Sequence, residues 1–134
     1  MKLLTKEIIN EFKKVGSQEQ VEDPIVIARF FNPTGIGTWY ATEFDEGEQM
    51  FFGYVSLFGD YNDEWGYFSL AELQDFKGRF GLGIERDLHF EPKKISECGI
   101  RSLKWTSTTK HTKVKVDLDE LITCLHFGKN GEIQ

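Results

Sequence analysis

Between Arg29 and Lys77 the sequence contains no lysine and no arginine. A stretch without cations cannot neutralise phosphates, so this part of the chain is not built to hold nucleic acid. Cysteine is also scarce. Cys98 and Cys124 are the two in 134 residues, too few for a disulfide framework or a cysteine metal site. The three histidines, His89, His111 and His126, lie far apart, and neither HExxH nor CxxC occurs. The expectation is therefore no metal and no cofactor. No apolar run approaches the roughly 20 residues that span a bilayer. Residues Met1 to Phe12 lack the apolar core of a signal peptide, so the expected location is the cytoplasm, without membrane contact.

What fills the cation-free window is acid and aromatic side chains. It carries Glu43, Asp45, Glu46, Glu48, Asp60, Asp63, Glu64, Glu72 and Asp75, together with 14 of the 19 aromatics. Residues 1–97 have a net charge of −8 and residues 98–134 of +2, giving −6 in all. Such a field favours a basic partner. An acidic, aromatic surface containing Asp60, Asp63 and Glu64 is one expectation. The competing one is that the aromatics fill a core and the acids lie in solvated loops.

Hydrophobic periodicity outlines the elements. Leu4, Ile8, Phe12 and Val15 recur at helical spacing, with Thr5 as N-cap and Gly16 as stop. Pro24 opens an apolar run, Ile25 to Phe31, that fits a buried strand, and Asn32-Pro33-Thr34-Gly35 has turn chemistry. Thr38–Asp45 and Met50–Phe58 read as antiparallel strands joined by Glu46-Gly47-Glu48, with glycine supplying any positive φ. Trp65–Phe68 reads as a short strand or connector. Ser69-Leu70-Ala71-Glu72 is a capping box that opens a helix to about Phe76. Ile84–Phe90 reads as a strand that ends at Pro92. Lys113 to Val116 alternates like an edge strand. Leu118, Leu121, Ile122 and Leu125 make a helical stripe. The expected fold is a single α+β domain, mainly antiparallel sheet, with N-terminal, central and C-terminal helices.

Strand parity gives one sharp inference. Trp39, Ala41 and Glu43 share a face, and Ile84, Arg86, Leu88 and Phe90 share another. A guanidinium among apolar neighbours needs a carboxylate or an anionic ligand. Parity therefore points to an Arg86–Glu43 pair inside the sheet, or to a pocket around Trp39, Glu43 and Arg86 that holds a small anionic ligand or nucleotide. Glu85 and Asp87 share a face and would be the acid–base pair of a hydrolase, although two acids at i, i+2 on a strand are ordinarily just solvated; no catalytic residue is assigned. Lys77-Gly78-Arg79-Phe80-Gly81 is rich in glycine but lacks the Gly-Lys-Ser/Thr of a phosphate-binding loop. Lys104, Lys110, Lys113 and Lys115, with Trp105, offer the one stretch through which nucleic acid could be touched.

Several ordered motifs carry a family resemblance. They are Pro24–Phe31, Thr38–Asp45, Phe51–Val55, Gly66–Leu73 and Phe80–Asp87, together with the opening Met1–Thr5. Over about residues 1–97 the chain resembles the bacterial proteins grouped as domain of unknown function 2958. The resemblance implies a small protein of plasmids, conjugative elements and phages. It implies no activity and no catalytic residues. Residues 98–134 extend beyond the family pattern. The functional expectation is an accessory, non-enzymatic protein that acts on a host protein, such as one of a defence system, through its acidic aromatic surface.

Overall fold

The computed structural model describes residues 2–57 and 63–100. Helix α1 spans Lys6–Val15. Its start follows from Thr5, whose hydroxyl accepts from the Ile8 N–H, and its end from Gly16 at φ 74°, where a side chain would be strained. The run after Pro24 is two strands, β1 (Ile25–Val26) and β2 (Ala28–Phe31). The break has a cause. The Ile27 N–H turns to the Ala41 carbonyl, while Ile25 and Val26 pair with Lys94 and Lys93 of β7 (Lys93–Lys94).

Strands β3 (Thr38–Asp45), β4 (Met50–Ser56) and β5 (Glu64–Ser69) form an antiparallel meander. Together with β2 and the two-residue β6 (Glu85–Arg86) they make a five-stranded sheet of order β5-β4-β3-β2-β6. Helix α2 (Leu70–Asp75) follows β5 directly, and the Ser69 hydroxyl accepts from the Glu72 N–H. The positive φ in the β3–β4 turn falls on Gln49, at 56°, and not on Gly47. The strand expected over Ile84–Phe90 is short because the chain turns away beyond Asp87. The Asp87 N–H bonds the Arg29 carbonyl, and Phe90 N–H closes a turn back onto Asp87. The expected C-terminal strand and helix lie outside the described residues.

The sheet is buried on both faces. Phe30, Trp39, Ala41, Phe51, Val55 and Phe68 pack one face against α1, α2 and Leu3. Tyr40, Phe52, Tyr54 and Trp65 form the other, under Val26 and Ile95. Most of the aromatics of the cation-free window therefore fill core, as the competing expectation held.

One irregularity organises the sheet. Ala41 pairs with Gly53 and Glu43 with Phe52, so Thr42 is an extra residue in β3. This β-bulge inverts the alternation that follows. Its polar groups are satisfied by side chains. The Thr42 hydroxyl donates to the Phe52 carbonyl at 3.1 Å. The Thr42 carbonyl accepts from Gln18 Nε2 at 2.8 Å, and the same amide donates to the Ile25 carbonyl at 2.8 Å and accepts from the Ile25 N–H at 2.7 Å. Gln18 is buried and acts as a peg between the 17–23 loop, β1 and the bulge. Gln18→Ala should leave three backbone groups without partners and cost about 3 kcal/mol, read as a lower urea midpoint with an unchanged slope. A shift below about 0.5 kcal/mol would contradict the peg.

Candidate functional site

The bulge separates the residues that parity places together. Arg86 stands in a row with Phe30 and Trp39 on the α1-facing side. Glu43, inverted by the bulge, lies opposite Phe52 on the other side. Each has its own role. Glu43 Oε2 accepts from the Gln18 N–H at 2.9 Å. Arg86 Nη1 donates to the Lys2 carbonyl and ties the N-terminal segment to the sheet edge. The Arg86–Glu43 pair is thus replaced by two separate anchors. Trp39 has no exposed surface at all and belongs to the core. The pocket expected around Trp39, Glu43 and Arg86 is not formed, because its members sit on opposite faces.

The acidic triad is also redistributed. Asp60 lies outside the described residues. Asp63 is 4% exposed. Its carboxylate accepts from Ser56 Oγ at 2.8 Å and from the Leu57 N–H at 2.9 Å, which ties the end of β4 to the start of β5. Glu64 is exposed at the first position of β5. Asp63 is therefore a structural tie and not part of a surface.

Of the hydrolase candidates, Asp87 is committed to Arg29, with Nη2 to Oδ2 at 3.0 Å. Arg29 also heads a cross-strand row, Arg29–Tyr40–Tyr54–Trp65, over four strands. Burial pushes the Tyr40 hydroxyl above its ordinary pKa, opposed by the nearby Arg29 guanidinium, which also hydrogen-bonds it. Burial likewise raises the Cys98 thiol, opposed by the charges of Lys93 and Arg29. A raised thiol is a poor nucleophile at neutral pH.

Among the described residues, two cavities bear on these candidates. One, of about 310 Å³, lies beside Arg86 between α1 and the segment after β6. Its charged lining is Arg86 with Glu7, Glu11 and Asp87. Three carboxylates around one guanidinium do not favour an anion. The other, of about 360 Å³, lies where α1 ends against the β3–β4 hairpin. Phe12, Phe44, Met50, Phe52 and Tyr67 supply its apolar lining, and its charged lining is Glu43 and Asp45 with one cation, Lys13. The bulge builds this cavity. It swings Phe44 onto Phe12 and Phe51, with ring centroids 5.9 and 4.7 Å apart, and leaves Glu43 on the side of Phe52 and Tyr67. The hairpin turn is held by Asp45 Oδ1, which accepts from the N–H groups of Gly47 and Glu48. Asp45, Glu46 and Glu48 are all exposed. Glu46 meets Lys13 at 3.2 Å, a surface pair of small energy.

The hairpin cavity brings aromatic rings and carboxylates together at a place other than Asp60, Asp63 and Glu64. Its acids, Glu43 and Asp45, are visible in the sequence; the aromatics that line it are assembled by the bulge. A family model described as "Protein of unknown function (DUF2958)" matches residues 3–98. No curated protein and no solved structure matches the chain.

Proposed function

The chain belongs to the DUF2958 family, and on that footing we propose that it is a non-enzymatic binding protein that engages a basic protein partner through the hairpin cavity. The observation that carries this is the cavity's composition, four aromatic rings with two carboxylates, Glu43 and Asp45, against one lysine, Lys13, whose charge Glu46 meets at 3.2 Å. A cation over an aromatic face gains about 0.5–2 kcal/mol, and carboxylates at the rim set the sign of what enters. An arginine or lysine side chain on a partner surface meets both requirements. In the mobile-element setting that the family resemblance implies, that partner is a host protein, with components of defence systems the first to test.

A hexa-arginine peptide titrated into labelled protein should shift the resonances of Phe44, Met50 and Tyr67, with an affinity that falls as salt rises. The double variant Asp45→Asn/Glu48→Lys keeps an acceptor for the turn and alters the charge. It should weaken the peptide roughly tenfold. Equal shifts from a hexaglutamate peptide, or no shifts at these residues, would remove the proposal.

A further inference from the structure

The loop between α2 and β6 holds a side chain that the fold does not use. Phe80 is 88% exposed and has φ 60° and ψ 19°. A bulky residue in the left-handed region costs about 1 kcal/mol or more. Here that cost brings no burial within the described residues. Nor is the loop a loose tether. Gly78 N–H bonds the Leu82 carbonyl at 2.7 Å, Gly81 N–H the Gly78 carbonyl at 3.1 Å, and Leu82 N–H the Arg79 carbonyl at 3.1 Å. Its base packs on the β2–β3 turn, since a Cβ on Gly78 would stand 3.0 Å from Thr34 Oγ1. Ile36 on that turn is 54% exposed, and Leu82 is also exposed. The result is a rigid apolar finger at one end of the sheet. Strain held at an exposed, ordered position points to a contact outside the chain.

The charge around the finger says what kind of contact. Lys77 and Arg79 are exposed and make no ion pair among the described residues. They interrupt a chain of net charge −6. An apolar tip with two cations at its base complements an aromatic cavity with an acidic rim. The hairpin cavity, with Glu43 and Asp45 against the single cation Lys13 and with exposed Glu46 and Glu48 on the adjoining turn, is such a site, and it lies at the opposite end of β3. The finger's base is against the turn that precedes Thr38, and the cavity is at Glu43–Asp45. An eight-residue strand is about 25 Å long, so the finger does not reach the cavity of its own chain.

We propose that Phe80 of one copy enters the hairpin cavity of a second copy, with Lys77 and Arg79 against Asp45 and Glu48. The proposal rests on the hairpin cavity being a binding site and adds the chain's own finger to its occupants. The contact joins two different surfaces, so it is head-to-tail and either closes a ring or continues. One finger in one cavity is a small interface, and the association is weak and reversible. It also places the finger in competition with a basic partner for the same cavity.

Sedimentation equilibrium of the full chain tests this. The weight-average mass should rise above the 15.5 kDa monomer as concentration increases into the high micromolar range, and fall back at high salt. Phe80→Gly should be monomeric throughout and no less thermally stable, because glycine accepts the left-handed backbone. Asp45→Asn/Glu48→Lys should also be monomeric. A mixture of the two variants contains one intact finger and one intact cavity. It should form a 1:1 dimer and stop there. A wild-type chain that stays monomeric, or a Phe80→Gly chain that associates as well as wild type, would overturn the proposal. Hexa-arginine titrated into the Phe80→Gly chain separates the two ideas. Peptide binding by that variant beside a monomeric wild type removes self-association alone. Phe80-dependent association without peptide binding removes the basic-partner reading of the cavity instead.

Discussion

Gly53→Ala should abolish folding. A Cβ at this position would lie 1.8 Å from the Tyr40 carbonyl oxygen and 2.8 Å from its carbon. Both are backbone atoms of the neighbouring strand, so no side-chain rotation relieves the clash. Gly53 is also central, paired with Ala41 on β3 and with Gly66 on β5. Moving it would displace two interstrand ladders at once. The bulge at Thr42 adjoins this close approach, so the substitution strikes the feature that sets the sheet's register. The expected loss exceeds about 4 kcal/mol, a large part of the stability of a domain of this size. Far-ultraviolet circular dichroism and solubility report it directly. A folded Gly53→Ala chain with a melting temperature near that of wild type would mean that β3 and β4 do not approach in this way.

Trp39→Ala should cost about 3–5 kcal/mol, the second largest effect. Trp39 is fully enclosed, in a row with Phe30 on β2 and Val55 on β4. Gly37 lies against it so closely that a Cβ there would stand 2.8 Å from the indole ring. Among the described residues the indole N–H has no hydrogen-bond partner, so it adds nothing there to offset its burial. Trp39→Phe should therefore cost much less than alanine, because it keeps an aromatic ring and removes the orphan donor. Urea unfolding of the two variants gives the comparison. A Trp39→Ala chain as stable as wild type would contradict the core placement and return Trp39 to the list of binding residues.

These two residues show how far the sequence could be read. Trp39 was legible as a large side chain on a strand face. Its use was not, because strand parity does not say whether a face is covered. Here both faces are covered, which the local pattern of alternation cannot express. Glu43 shows the sharper failure. Parity puts it beside Trp39, and it would lie there but for Thr42. One inserted residue reverses a period of two. The clues were indirect: Gly53 in the facing strand, Thr42 with a hydroxyl able to reach the freed carbonyl, and Gln18 some 24 positions away. No local signal joins those three. Asp63 misled for a related reason. A carboxylate in a polar run reads as solvated, yet it accepts two hydrogen bonds at the end of β4 and is buried by them. The finger was legible as a glycine-rich turn, but the exposure and backbone of Phe80 were not.

What the sequence determined by itself is local. Helix α1 with its Thr5 and Gly16 caps, the extent of β3, the antiparallel hairpin to β4, the start of α2 at Ser69 and the α+β class all follow from periodicity and capping chemistry. These interactions close within a few residues and can be read from neighbours in the chain. The tertiary structure alone decided the bulge, the two-faced burial of the sheet, the separation of Glu43 from Arg86 and the gathering of Phe12, Phe44, Phe52 and Tyr67 at one cavity. Each depends on atoms brought together from distant positions. Their cost or gain exists only once the strands have docked, because packing and desolvation are properties of the assembled interior.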